Sequence, residues 1–444
     1  MKYYKRKIDS ELIEWMSESK RKPILLRGAR QVGKSSAVRN LSKNFEYYVE
    51  INFEEDQSAR MVFENSNLTP QLICEKLALL YGIPIIEGKT LLFFDEIQAC
   101  IPAISSLRFF YERMPDLHLI AAGSLLEFAL EEIPSFGVGR IRSLFMYPFS
   151  FLEFLEANGN LLLLEAVKKS NLQNRLDEVI HNKVLYILKL FLIIGGMPES
   201  VATYMREKDI LKCQTVLNDL TVSLKNDFSK YKKKIPSLQI SSAFDSILQQ
   251  SLHKFKYTNN HSEYSLYQMK QAVALLIMSG LIIPITHTSA NGLPLGAEAN
   301  PKFQKMLLLD TGIYQRLLGL QLSDILLSDD FDTINKGSIA EMFVGLELLK
   351  ATSCHEQAAL YYWQREEKNS QAEVDYLIQQ NKTIIPVEVK SRKQGKMQSL
   401  HLFMKGKKSE YGIRTSLENF AIYDKIKIYP LYAIGKILTD TEII

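Results

Sequence analysis

The sequence predicts an α/β fold: a parallel sheet with helices on both faces, then a helical stretch, then a second α/β region. Three observations predict it. Apolar runs of strand length alternate with helical patterns through the first 150 residues. Two of these runs end in a glycine-rich or an acidic turn, as strands of a buried parallel sheet do where they open onto a ligand crevice. Between 372 and 390, two alternating runs around a short link read as a β-hairpin.

At 444 residues the chain exceeds a single core, since domains run to about 100–200 residues each. A hydrophobic content of 46% with 23% charged residues is that of a soluble globular protein that needs no disulfides. The four cysteines, Cys74, Cys100, Cys213 and Cys354, form no CxxC pair and have no histidine at zinc-ligand spacing. They read as reduced, buried thiols of a cytoplasmic protein, and the pattern argues against a structural zinc. No apolar stretch follows the basic segment Met1 to Lys7, so no secretory signal is expected. The most apolar stretch, Ala272 to Ile285, is interrupted by Ser279, Gly280 and Pro284 and falls short of the roughly 18 residues of a spanning helix, so no membrane anchor is expected either. Net charge is +4, yet from Lys382 onward twelve Lys or Arg stand against six Asp or Glu. Such a basic end is either a solvated face or the seat of a polyanion.

The strand-like Pro23 to Arg27 runs straight into Gly28-Ala29-Arg30-Gln31-Val32-Gly33-Lys34-Ser35 and then, from Ser36 to Leu41, into a helical pattern. This is GxxxxGK[ST] in its strand-loop-helix setting. The glycines let the backbone curl so that its N–H groups face phosphates, and the helix N-terminus adds a favourable dipole. Residues 28–36 are therefore the expected ATP-binding loop, with Lys34 on the β and γ phosphates and the Ser35 hydroxyl on Mg²⁺. Leu91 to Phe94 is a second apolar run, closed by Asp95 and Glu96. Asp95 is expected to hold the magnesium and Glu96 to polarise the attacking water. A third run, Leu117 to Gly123, ends in Ser124, the candidate sensor of the γ-phosphate, with a plain turn serine as the alternative. Before the strand-like Ser143 to Tyr147 stand Arg140 and Arg142, either of which could stabilise charge on the transferring phosphoryl group, Arg140 foremost, against the alternative of an exposed arginine at a strand end. Tyr47 to Phe53 supplies one more strand between loop and acidic turn.

The runs Leu-Arg-Gly-Ala-Arg-Gln-Val-Gly-Lys-Ser at 26–35, Ile-Asn-Phe-Glu at 51–54, Phe-Phe-Asp-Glu-Ile-Gln at 93–98, Ala-Ala-Gly-Ser at 121–124 and Gly-Gly-Met-Pro-Glu at 195–199 together resemble the prokaryotic AAA-type P-loop ATPases that carry a C-terminal domain of unknown function with a restriction-endonuclease-like core. The resemblance covers nearly the whole chain and implies nucleotide hydrolysis. It departs from the family in Ser35, where threonine is usual, a mild change because the hydroxyl is kept. Gly195-Gly196 ends one helix and Pro198 begins another, a structural turn by the residues alone, with nucleotide sensing as the alternative.

The expected organisation is a P-loop NTPase parallel sheet over 1–150, a helical lid and connector over 151–240, a winged-helix-like subdomain over 241–325 and a C-terminal α/β restriction-endonuclease-like domain over 326–444. The third of these rests on a helix from Leu266 to Met278, a Ser-Gly turn, an apolar strand and Asn291-Gly292 as a hairpin turn. In the fourth, the strands Ala372 to Ile378 and Ile384 to Lys390 place Glu388 and Lys390 on one face, Asp375 on the adjoining strand and Glu341 on the helical stretch 337–349. This resembles the Asp…Glu-X-Lys set of restriction-type nucleases, in which two carboxylates and a backbone carbonyl hold Mg²⁺; the resemblance implies Asp375 and Glu388 as ligands, Glu341 as a further group on the metal, and Lys390 to orient or activate the water. A solvated polar face is the alternative, weakened by the cost of charge in an otherwise apolar strand. Lys393, Lys396, Lys405, Lys407 and Lys408 suit a phosphate backbone.

The reading that follows is an ATPase whose nucleotide state moves a C-terminal module that binds DNA, with an oligomeric assembly admitted. The alternative is a nucleotide-dependent switch that binds a protein partner through a catalytically silent C-terminal domain. A stand-alone hydrolase of small molecules fits the Lys-rich C-terminal half poorly.

Overall fold

A computed structural model describes residues 2–64, 69–124, 126–131, 139–231, 235–257, 264–319, 337–366, 372–380, 382–390 and 397–438. Lys393 and Lys396 lie outside them. The chain divides into two compact units, the first made of Met1–Pro148 with the short segments Met278–Gly280 and Ser353–Gln357, the second of the remainder.

The first unit is built on five parallel strands, β1 Ile24–Arg27, β2 Tyr47–Asn52, β3 Thr90–Asp95, β4 His118–Ala122 and β5 Arg142–Phe145, in the order β2-β3-β4-β1-β5. Strands β3 and β4 are buried along their whole length, which is why their sequences are continuously apolar rather than alternating. Between the sheet and its covering helices, Phe53, Phe63, Phe94 and Phe110 stack edge to face, with Phe53 5.4 Å from both Phe63 and Phe94. Each such pair adds about 0.5–1.5 kcal/mol to the burial itself. Local signals set the helix ends. The helix Pro70–Tyr81 starts with proline after Thr69, whose hydroxyl accepts from Leu72 N–H, and stops at Gly82 with φ 65°. The helix Lys34–Leu41 begins directly after Gly33, held at φ 99°.

The second unit carries an eight-stranded mixed sheet: β6 Ile282–Thr288, β7 Ala299–Leu308, β8 Leu360–Gln364, β9 Glu373–Gln380, β10 Thr383–Val389, β11 Gly412–Ser416, β12 Ala421–Tyr423 and β13 Ile426–Pro430, in the order β12-β13-β11-β10-β9-β8-β6-β7. Hairpin β9/β10 has the expected register, Gln380 facing Thr383 and Tyr376 facing Val387. The helix Gly337–Ala351 is apolar on all sides and buried from Ile339 to Leu349 apart from Glu341, whose side chain is partly exposed.

The helix Leu266–Met278 has the bounds read from the sequence, and β6 and β7 pair as an antiparallel hairpin. Two details differ. Asn291 and Gly292 lie in a connection from 289 to 298 rather than forming a two-residue turn. The hairpin also closes no subdomain of its own, because β6 gives its other edge to β8, Ile285 facing Leu360, and so joins the C-terminal sheet. An open strand edge needs a backbone partner, and β8 supplies it.

The helix Glu178–Ile194 stops at Gly195, φ 71°, and the next begins at Pro198. Buried Asp310 explains the two glycines. Its carboxylate accepts from Gly196 N–H at 2.6 Å and from Ile313 N–H at 3.0 Å, and a Cβ on Gly195 would stand 2.2 Å from it. A Cβ on Gly196 would stand 2.4 Å from the Phe149 carbonyl oxygen. The turn is thus a structural lock of the second unit.

Candidate functional site

In a parallel sheet all C-terminal strand ends lie along one edge, so the loops after β1, β3 and β4 meet there. After β1, Gly28 takes φ 144°, and a Cβ on it would fall 2.1 Å from the Met146 carbonyl oxygen, so only glycine fits. Ala29 and Val32 are buried anchors of the loop, Arg30 is half-buried, and Gln31 is exposed at φ 63°. Arg6 ties the loop to the end of β5, donating to the Val32 oxygen at 3.1 Å and to the Tyr147 oxygen at 2.6 Å. Ser36 sits exposed in the first turn of the helix that follows.

Lys34 lies back in the loop, its Nζ donating to the carbonyl oxygens of Gly28 and Ala29, each at 2.9 Å. Burial pushes its pKa down to about 8, against the pull of Glu96 and Asp95. Ser35 Oγ donates to Asp95 Oδ2 at 2.7 Å, joining loop and acidic turn. Burial also raises the Asp95 pKa, with the Ser35 hydrogen bond acting the other way. A carboxylate short of compensating charge beside a hydroxyl is a donor set that fits a divalent cation. Glu96, at the left-handed φ of 47°, accepts through Oε2 from Gln98 Nε2 at 2.6 Å and from Ser124 Oγ at 3.2 Å. A strained non-glycine residue of this kind costs about 1–3 kcal/mol and is characteristic of functional sites. Gln98 escaped the sequence reading, although Gly123 carries its trace: a Cβ there would stand 2.1 Å from Gln98 Oε1.

The structure does not bring Arg140 to this edge. It pairs with Glu112, and it precedes Arg142, the first residue of β5, which faces Ile24 at the start of β1. The P-loop follows the other end of β1, so Arg140 belongs to the opposite edge of the sheet. Arg142 pairs there with Glu18 at 2.6 Å.

In the second unit the hairpin β9/β10 sets Asp375, Glu388 and Lys390 together. Asp375 Oδ2 accepts from Val389 N–H at 2.8 Å, and Lys390 Nζ donates to Glu388 Oε1 at 2.6 Å. Glu388 Oε2 is buried with no hydrogen-bond partner among the described residues. Glu341 joins them through a residue the sequence reading missed. Lys305 on β7, 1% exposed, places its Nζ 3.0 Å from Glu341 Oε1, pairs with Glu373, and lies over the Tyr362 ring. Burial opposes the ammonium, but Glu341, Asp375 and Glu373 outweigh it and hold the Lys305 pKa above its ordinary value. Burial, with Asp375 adding to it, raises the carboxyls of Glu341 and Glu388. Among the described residues the one trio of acidic, His or Cys ligand atoms within 4.8 Å of one another is Glu11, Cys354 and His355 in the first unit. Asp375 thus stands near enough to perturb both Glu341 and Glu388, while the three carboxylates do not gather as one ligand trio. All four cysteines are free and buried. No helix among the described residues is long and apolar enough to cross a membrane.

Residues 20–155 match the model of a family described as an AAA domain, residues 185–324 a domain of unknown function, DUF8612, and residues 336–434 another, DUF4143. No curated protein matches. Among solved structures, a Walker-type ATPase of Pyrococcus abyssi is similar at 15% identity over 71% of this chain and 96% of its own, with a TM-score of 0.44. The ORC1 protein of Aeropyrum pernix, solved in complex with DNA, is similar at 13% identity over 73% and 95%, with a TM-score of 0.28.

Proposed function

We propose that this chain, which carries an AAA-type P-loop NTPase domain joined to two domains of unknown function, binds ATP with Mg²⁺, hydrolyses it, and uses the nucleotide state to control a C-terminal module that binds nucleic acid. The observation that carries the reading is the 2.7 Å contact between Ser35 and Asp95 beside the backbone cradle of residues 28–33. Ser35 and Asp95 would hold the magnesium, which supplies charge neutralisation at the β and γ phosphates when bound. Lys34 trades its two carbonyl acceptors for phosphate oxygens. Glu96 accepts a proton from the water that attacks the γ-phosphorus as the bond to the ADP oxygen breaks, and Ser124 and Gln98 fix the direction of its carboxylate.

The module reading is supported by the lysines of the helix Gln398–Lys407 and by Lys408 at its end, a set of point charges suited to phosphates. A second reading, a switch whose C-terminal fold is catalytically silent, gains support from Lys305, which already neutralises carboxylates of the acidic cluster.

Equilibrium ATP binding with and without Mg²⁺ tests the site. Mg²⁺ is expected to strengthen binding in the natural chain and to have no effect in Asp95→Asn. An unaltered Mg²⁺ dependence in that variant refutes the assignment.

A further inference from the structure

The acidic cluster of the second unit poses a charge problem. Glu341, Glu373, Asp375 and Glu388 approach one another from a helix and two strands, and Glu388, 6% exposed, turns one oxygen into the interior without a partner among the described residues. Carboxyls held this way are relieved by a cation or by keeping a proton. Lys390 meets one of them, Glu388, and is itself partly exposed. On the side of Glu341 and Glu373 the buried cation is Lys305. It comes from β7, at the end of the strand order, with β6 and β8 lying between it and β9, and it pairs with acids from two separate elements. A lysine carried across two strands loses much side-chain entropy and its hydration, and the acids, with the Tyr362 ring beneath the ammonium, recover that cost.

We infer that Lys305, by pairing with Glu341 and Glu373, withdraws Glu341 from Asp375 and Glu388 and sets an ammonium beside the position a divalent metal takes in a nuclease-type core, so that the C-terminal sheet binds without cutting. The observed arrangement disagrees with a three-carboxylate metal site: Glu341 is engaged by Lys305, Asp375 by the Val389 N–H, and the three donors do not converge. The inference rests on reading the second unit as a module related to such cores. It adds that one residue on β7, two strands removed from β9, decides whether the module admits a metal.

Mn²⁺ binding to the full chain, counted by electron paramagnetic resonance without nucleotide, tests it. All arms carry Asp95→Asn to remove the metal position of the first unit. With Lys305 present, no Mn²⁺ is expected in the cluster. Adding Lys305→Met should create one site, and adding Asp375→Asn to that should remove it again. Two results overturn the inference: Mn²⁺ bound with Lys305 in place and lost on Asp375→Asn, or a folded Lys305→Met chain that takes up none. Should Lys305→Met fail to fold, thermal denaturation of the Lys305-bearing chain decides: an unmoved midpoint supports the inference, and a rise with Mn²⁺ that Asp375→Asn abolishes contradicts it. Retention of plasmid DNA on the same preparations reports separately on the module reading, which fails if the Lys305-bearing chain shows no salt-sensitive binding.

Discussion

The nucleotide loop of the first unit and the acidic cluster of the second use the same ingredients, a buried lysine and carboxylates at strand ends, in opposite ways. Lys34 rests on neutral carbonyl oxygens, and its nearest acids interact with it through space only. Lys305 is in direct contact with two glutamates. On the proposed function, the first ammonium is held by bonds that a phosphate can replace. The second is consumed by the fold. Burial pushes the Lys34 pKa down and the surrounding acids drive the Lys305 pKa up, which is the same contrast stated as proton affinity.

The contrast breaks most visibly at Glu96. Glu96→Gln should lower ATP turnover about 10²- to 10⁴-fold while ATP still binds, as single-turnover and equilibrium measurements will tell. Glu388→Gln, the matching change in the second unit, should leave turnover unaltered. A fall in turnover there would join two sites that are here kept apart. Ser124→Ala removes one of the hydrogen bonds that orient Glu96, and a loss of roughly 1 kcal/mol corresponds to a severalfold slower steady-state rate with little change in ATP affinity.

How much of this was legible in the sequence follows from how local each signal is. The cradle is written in eight consecutive residues, and the strand before it and the helix after it are contiguous, so every part could be named in advance. The same holds for the Asp95-Glu96 turn and for the ends of the helix Leu266–Met278. Lys305 was missed because its partners lie 36 and 68 positions away, on a helix and on a strand that meet only through the order of the sheet. One trace existed: a lysine beside Met306, Leu307 and Leu308, in a strand segment buried on both faces, requires an acidic partner. Arg140 matches the alternative reading, an exposed arginine before a strand, for a related reason. Its nearness in sequence to β5 is real, but in a parallel sheet the start of a strand lies opposite the loop that follows β1.

Smaller effects sharpen the comparison. With the Lys34 pKa at about 8, ATP binding above that pH must be accompanied by proton uptake. Affinity should therefore be level below about pH 7 and fall up to tenfold per unit above about pH 8, read from titrations across pH 7 to 9.5. An affinity that rises with pH would show that Lys34 is not the group that meets the phosphates. Smallest of all is Arg140→Ala, expected to leave turnover per chain within twofold, since its partner Glu112 lies at the far edge of the sheet. A large loss would mean that it reaches phosphate from some other arrangement.

The central claim is that the first unit keeps a lysine in reserve for a triphosphate. Phosphate release from ATP by Lys34→Ala, set beside the unaltered chain under identical Mg²⁺ and pH, tests it most directly. The account predicts a loss of at least about 100-fold with the fold intact by circular dichroism. Turnover close to that of the unaltered chain would contradict it.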